Sequence, residues 1–230
     1  MDITFRSDMT VELIQQMGDD SSVVRAARVS SGSVSVSGEK DQGLINYLMR
    51  DRHGSPFEHN AFTFYIEAPI FVFREFMRHR IASYNEESGR YKELEPVFYV
   101  PGPERKLQQI GKPGAYTFEE GTYDQKVQVP ATTMRVYDEA YSAYKAMLDR
   151  GVAREVARVV LPVGIYSSMY VTMNARSLMN FLSLRSEKQG TYPSFPQWEI
   201  HLVADKMENI FSGFMPVTYK SFVENGRVAP

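Results

Sequence analysis

A chain of 230 residues, 43% hydrophobic and 23% charged, is long enough to bury a core and has an ordinary globular composition, expected as one domain spanning 1–230. A net charge of −2 argues against nucleic acid or an anionic membrane as the main partner, and there is neither a run of about 18 apolar residues nor a basic-then-apolar leader, so no membrane partner is expected and the expected location is cytoplasmic. The chain has no cysteine, which excludes disulfides, thiolate metal sites and a cysteine nucleophile.

Residues 10–17 read as a short helix with Thr10 as N-cap and Gly18 as its stop, and 22–28 as a second, followed by a Ser/Gly-rich loop over 30–38. From Asp41 to Arg52, Leu44, Ile45, Leu48 and Met49 recur at helical spacing. His53 to His59 is short, polar and turn-forming. Ala61 to Glu67 alternates, with Phe62, Phe64 and Ile66 on one face, and predicts a strand; Pro69 then suits the first turn of a helix running to about His79. A brief strand is expected over 97–100 and a long loop over 101–130. Helices follow over 131–150, with Gly151 ending it, and over 152–161, closed by Pro162. Ile165 to Met173 alternates as a strand, Asn174 caps a helix with Leu178, Phe181 and Leu182 toward the core, 190–196 is a loop, and helices over 196–211 and 217–224 complete the chain. The expected class is α+β, a small antiparallel sheet packed with several long helices.

Chemistry concentrates between Arg78 and Tyr91. Three arginines and His79 lie there beside Ser83, Asn85, Glu86, Glu87 and Ser88. Guanidinium groups bind phosphates and planar oxyanions through paired N–H donors, and Ser88-Gly89 lets backbone N–H groups approach a ligand. By density alone, a solvated loop of ion pairs explains this stretch equally well. His53, Glu58, His59 and His79 are the types that ligate zinc or iron, but no helical His-Glu-x-x-His pattern holds them, and polar packing or contact with a non-metal ligand is favoured, so no metal site is expected. Arg154 and Arg158 share a helical face. Arg158, beside Glu155, reads as solvated, while Arg154 sits in a first turn that favours an anion. Arg176 and Asn180 share a face too, as any exposed amphipathic helix would arrange them. Arg185 falls on the extension of the buried stripe, where it pairs with a carboxylate, caps the helix or points into a pocket. Glycine-loop signatures of Rossmann and P-loop nucleotide sites are missing from the sequence, as is the Gly-x-Ser-x-Gly elbow.

The order of residues narrows this further. Arg78-His-Arg80, Ser83, Asn85-Glu86, Ser88 and Arg90-Tyr91 resemble the signature of the flavin-dependent thymidylate synthases, with every defining position filled. Arg25-Ala-Ala-Arg-Val-Ser30, Pro56-Phe-Glu-His59, Ala68-Pro-Ile-Phe-Val72, Arg154-Glu-Val-Ala-Arg158, Asn174-Ala-Arg-Ser-Leu-Met-Asn180 and Gln197-Trp-Glu-Ile200 are similar to family blocks in family order; 101–130 matches least. The resemblance implies a non-Rossmann flavin site and conversion of dUMP to dTMP, with methylenetetrahydrofolate giving the carbon, NADPH the reducing equivalents and FAD relaying hydride, in a homotetramer. By motif position it implies Ser30, Ser55, Glu58, Arg78, His79, Arg80, Glu86, Asn174, Arg176 and Asn180 at FAD. It implies Glu75, Phe76, Met77, Arg78, Glu86, Glu87, Ser88, Gly89, Arg90, Arg154 and Arg185 at dUMP, with Arg185 facing the uracil as the catalytic group. A chain that kept the pocket but binds nucleotide without turnover is the rival reading, and a metal-dependent phosphohydrolase a weaker one. Two features depart from the family pattern. Glu75 stands where glutamine is common, so a nearby cation such as Arg74 or Arg78 is expected to compensate. The stretch 186–196 is longer than usual and lacks a histidine many relatives carry there.

Overall fold

The structure, a computed structural model, describes residues 2–32, 38–112 and 115–230. In chain order the elements are β1 (Thr4–Arg6), β2 (Thr10–Met17), α1 (Asp20–Arg28), α2 (Gly38–Arg50), β3 (Ala61–Pro69), α3 (Ile70–Phe76), β4 (Ser83–Glu86) and β5 (Val97–Tyr99). They continue with β6 (Gln108–Lys112), β7 (Ala115–Glu119), α4 (Tyr123–Leu148), α5 (Arg154–Ala157), β8 (Tyr166–Met173), α6 (Ala175–Arg185), α7 (Trp198–Phe214) and α8 (Pro216–Glu224). Short 3-10 turns fall at Val29–Ser31, Ser55–Glu58 and Arg158–Val160. The α+β class stands as expected, with a four-stranded sheet in the order β2-β3-β8-β4, an antiparallel β6–β7 hairpin, and a β1–β5 pair that is parallel. Among the described residues, no helix is long and apolar enough to cross a membrane.

Several segments differ from the sequence expectation. Residues 10–17 are strand β2 and not a helix: their intrinsic preference yields to pairing beside β3, and Gly18, at φ +81°, turns the chain toward the Asp19 cap of α1. The supposed loop over 101–130 contains the β6–β7 hairpin and the first turns of α4. That helix starts at a capping box, Thr122 Oγ1 accepting from Gln125 N while Gln125 Oε1 accepts from Thr122 N, and it carries Pro130 inside it. The missing N–H of Pro130 costs one helical bond, and the helix is held through Tyr137, Tyr141, Tyr144 and Leu148 in its second half. Pro69 ends β3 and does not open α3, α3 stops at Phe76, and the helix expected over 152–161 shrinks to α5 and a 3-10 turn. The loop expected over 30–38 lies partly outside the described residues.

The chain forms two compact units. The first comprises 1–9, 67–75 and 86–169. Its core packs Phe98 and Ile165 against Tyr141 and Tyr144 of α4, with Phe98 stacked on Tyr137 at 4.6 Å and the Tyr141 hydroxyl donating to Leu94 O at 2.9 Å. The second comprises 10–66, 76–85 and 170–230. Here Phe62, Phe64 and Ile66 are fully buried, as their alternation predicts, and Phe62 meets the edge of Phe211 from α7 at 5.8 Å. The second unit also holds α6, which carries Arg176, Asn180 and Arg185.

Candidate active site

Helix α6 begins where β8 ends, and its first N–H groups need partners that the helix itself cannot give. The Asn174 side chain accepts from Ser177 N at 2.9 Å, as the sequence predicts. The other partner comes from far away: buried Asn60 accepts from Ala175 N at 2.6 Å and donates to Phe57 O at 3.1 Å. Sequence reasoning missed Asn60, since nothing local marks an asparagine whose partner lies 115 residues on. Leu178, Met179, Phe181 and Leu182 face the core, which leaves Arg176 and Asn180 exposed and Arg185 half-buried in the last turn.

Arg185 donates through Nε to His79 Nε2 at 3.0 Å. His79 therefore accepts there and carries its own proton on Nδ1, the neutral tautomer. Burial, and then the Arg185 charge, push its pKa down from 6.5 to about 4, so it stays neutral at physiological pH. Phe181 presents its ring edge-on at 4.9 Å. The backbone on which His79 sits is fixed by Tyr84, whose hydroxyl lies 2.9 Å from Phe76 O and 2.7 Å from His79 O. Burial raises the Tyr84 phenol to about 12, so it remains a donor.

These groups open on a cavity of about 490 Å³ lined by Glu58, Arg78, His79, Arg80, Arg176, Asn180 and Arg185. Arg78, Arg80, Arg176 and Arg185 bring four guanidinium groups to its lining. Such a surplus of fixed donors suits a polyanion with a planar ring, and the volume is that of a small-molecule site, ~300–1,000 Å³. The residues present therefore fit a flavin dinucleotide. Arg176 is already engaged, donating through Nη1 to Glu58 at 2.5 Å and through Nε to Pro230 O at 2.6 Å. Among the described residues, no group of three or more His, Asp or Glu is arranged to hold a metal ion.

Not every residue expected at the flavin reaches this cavity. Asn174 serves as the cap of α6. Ser30 and Ser55 are exposed and do not line it, and Glu86 belongs to the first unit, where Ser167 Oγ donates to it at 2.9 Å. Burial raises the Glu86 carboxyl pKa. Of the residues expected at the nucleotide, Phe76 is fully buried and stacked on Phe181 at 4.7 Å, so its ring is packing, while Met77 is exposed. The first unit brings together the rest of the signature. Glu87 pairs with Lys92 at 2.7 Å, Ser88 Oγ accepts from Arg90 N at 3.3 Å, and Arg90 Nε donates to Glu155 of α5 at 2.8 Å. Gly89 is buried, and a Cβ there would stand 3.1 Å from Leu94 Cδ1. Arg154, the first residue of α5, lines a cavity of about 420 Å³ with Lys145 and Glu93. Arg158 is exposed, as read from the sequence, and Glu75 is half-buried.

Comparison with known proteins gives these features a family. The model described as Thymidylate synthase complementing protein matches residues 12–217. Flavin-dependent thymidylate synthases of Streptomyces avermitilis and Tropheryma whipplei TW08/27 are 60% and 58% identical to the chain, over 99% and 100% of it and 96% and 98% of their own lengths. The crystal structure of a UMP/dUMP methylase, PolB of Streptomyces cacaoi, bound with 5-Br UMP, matches with a TM-score of 0.93 at 51% identity, covering 100% of both chains. Its complex with 5-Br dUMP matches with a TM-score of 0.94 at 50% identity, over 99% of this chain and 100% of that one. With its signature filled and matches of this extent along nearly its whole length, the chain belongs to the flavin-dependent thymidylate synthase family.

Proposed function

We propose that this chain methylates dUMP to dTMP, with methylenetetrahydrofolate as carbon donor, NADPH as reductant and FAD between them. The observation that carries the reading is the convergence of Arg78, His79, Arg80, Arg176, Asn180 and Arg185 on one cavity. The reaction balances as dUMP, methylenetetrahydrofolate, NADPH and one proton giving dTMP, tetrahydrofolate and NADP⁺; the proton at uracil C5 leaves, and a methyl group takes its place. FAD, when bound, supplies the hydride relay. The chain's own part is binding and electrostatics. Arg78, Arg80 and Arg176 offer fixed donors to the flavin. Arg185, oriented by neutral His79, is the group that favours negative charge on the uracil ring and so makes C5 more nucleophilic. No cysteine exists to add to the ring, which agrees with activation by charge and not by an enzyme nucleophile.

The same reading assigns Arg90, Arg154 and the Ser88-Gly89 backbone to the nucleotide phosphate, with Glu75, Met77, Glu86 and Glu87 around the nucleotide. It carries self-association as a homotetramer, supported by Tyr123, Val127 and Met134, which α4 leaves exposed at helical spacing, and a cytoplasmic place of action. We take residues 1–230 as one folding domain, because each compact unit is assembled from three separate segments and neither can be cut out as a continuous piece. The test is release of tritium from C5-labelled dUMP by the purified protein. Release that requires FAD, NADPH and methylenetetrahydrofolate together is the expected result; none, from folded protein loaded with flavin, would favour nucleotide binding without turnover. Labelled UMP in the same assay reads whether a ribose is accepted, as the name of the Streptomyces cacaoi relative states for that protein.

A further inference from the structure

The segment that follows α8 is tied down at several points. Gly226 and Arg227 both take positive φ, +76° and +56°, which turns the chain sharply at the end of the helix. Arg227 is buried and makes a two-pronged pair with buried Glu208 of α7, at 2.8 and 2.9 Å, and the Tyr219 hydroxyl donates to the same carboxylate at 2.7 Å. Thr191 N donates to Gly226 O at 2.8 Å, and Arg52 Nη1 to Ala229 O at 2.9 Å. These anchors bring Ala229 and Pro230 to the wall of the arginine-lined cavity, where Pro230 O receives Arg176 Nε. Gly54 makes the room. A Cβ on it would stand 2.5 Å from Arg176 Nε, 2.6 Å from Cζ and 2.8 Å from Pro230 O, so any larger residue drives the guanidinium and the main-chain oxygen out of place.

We propose that Arg227–Pro230 is a positioning strap for Arg176: the main-chain oxygen of Pro230 and the Glu58 carboxylate hold the guanidinium in the slot that Gly54 leaves, and its remaining N–H groups are thereby presented to the flavin in one orientation. The proposal rests on the flavin reading of this cavity. A long arginine side chain on an exposed helix face samples many rotamers, and an anion that must order it loses affinity accordingly. Two acceptors placed at Nε and Nη1 remove that freedom beforehand, since the guanidinium is planar and fixing two of its nitrogens fixes the plane. Glu58 and Pro230 are thus positioning residues, acting on the flavin through Arg176. The strap also lines a second cavity, of about 330 Å³, through Arg227, Val228 and Ala229, and Asn180 and Leu184 border both cavities. Its position therefore sets the shape of both.

The experiment is a titration of FAD against the purified apoprotein, read by quenching of flavin fluorescence. Four proteins are compared: the full chain, the chain shortened after Val228, Arg176→Lys, and the two changes combined. Each single change is expected to weaken flavin binding about tenfold, the size of one oriented charge-assisted contact. The combination is expected to bind no more weakly than the worse single variant, because the strap acts through Arg176. Gly54→Ala, which keeps the strap but fills the slot, should reproduce the loss and decides the matter if the shortened chain does not fold. Additive losses, unchanged binding by both the shortened chain and Gly54→Ala, or tighter binding after shortening would each overturn the proposal. Failure of the full chain itself to bind flavin would overturn the flavin reading as well, and is seen before any variant is made.

Discussion

Replacing Asn60 by alanine tests whether helix α6 is held in place from outside itself. The Asn60 side chain is 2% exposed and joins two buried backbone groups, accepting from Ala175 N at 2.6 Å and donating to Phe57 O at 3.1 Å. Alanine leaves the Ala175 N–H, at the first position of α6 and itself fully buried, without its partner. An unmade buried donor costs about 1–3 kcal/mol, and losing the bond to Phe57 O adds roughly 0.5–1.5 kcal/mol, for about 2–4 kcal/mol in all. For a chain of this size each kcal/mol lowers Tm by ~2–4 °C, so Asn60→Ala should melt roughly 5–15 °C below the parent. Scanning fluorimetry, backed by the urea midpoint, measures it. A fall below about 2 °C would show that water or a shift of α6 satisfies Ala175 N, and that Asn60 does not fix the helix. Because α6 carries Arg176, Asn180 and Arg185, the same variant should also bind FAD more weakly.

Other changes reach different parts of the argument. The folded-state pKa of His79 is lowered from 6.5 to about 4. Its contribution to stability is thus fully present above pH 6.5 and is lost as pH falls toward 4, where the unfolded chain takes up a proton that the folded one refuses. Chemical denaturation between those values should show that loss, smaller in His79→Gln, and an NMR titration of His79 with a midpoint near 6.5 would contradict the buried, arginine-facing geometry. Arg227→Met strands Glu208, whose side chain is 1% exposed, and should cost about 3–5 kcal/mol in urea unfolding; a neutral result would mean that Lys188, 3.3 Å away, and Tyr219 suffice for the carboxylate. Glu75→Gln should change dUMP affinity less than about tenfold by calorimetry, on the expectation that a cation such as Arg74 or Arg78 compensates the carboxylate; tighter binding beyond that would show that none does.

Periodicity spoke plainly where a face is buried. Phe62, Phe64 and Ile66 gave β3, and the Leu178-Phe181-Leu182 stripe gave α6 together with its Asn174 cap; the placement of Arg185 on that stripe's extension left a carboxylate pair, a helix cap and a pocket open, and in the structure it lines a cavity. The sequence failed where pairing decides. Residues 10–17 carry a helix-like pattern but lie beside β3, and the β6–β7 hairpin has mostly exposed side chains and so no alternation to read. The start of α4 was legible in Thr122 and Gln125, but Pro130 drew the boundary inward by several residues. Within the site, the signature brought out the arginines and His79. Asn60, Gly54 and Pro230 stayed hidden because each acts on a residue more than fifty positions away, through a backbone atom or an empty space that carries no sequence pattern.

Those separations have a consequence for how the protein comes into being on the ribosome. Glu58 waits 118 residues for Arg176, His79 waits 106 for Arg185, and Arg52 waits 177 for Ala229. The first unit has all its segments once residue 169 has emerged, whereas the second needs 170–230. Closing loops of this length is slow and comes late. Until then the half-made second unit exposes Phe62, Phe64 and Ile66 with no helix α7 to cover them, so the nascent chain passes through an aggregation-prone stage that ends only as its cofactor cavity closes.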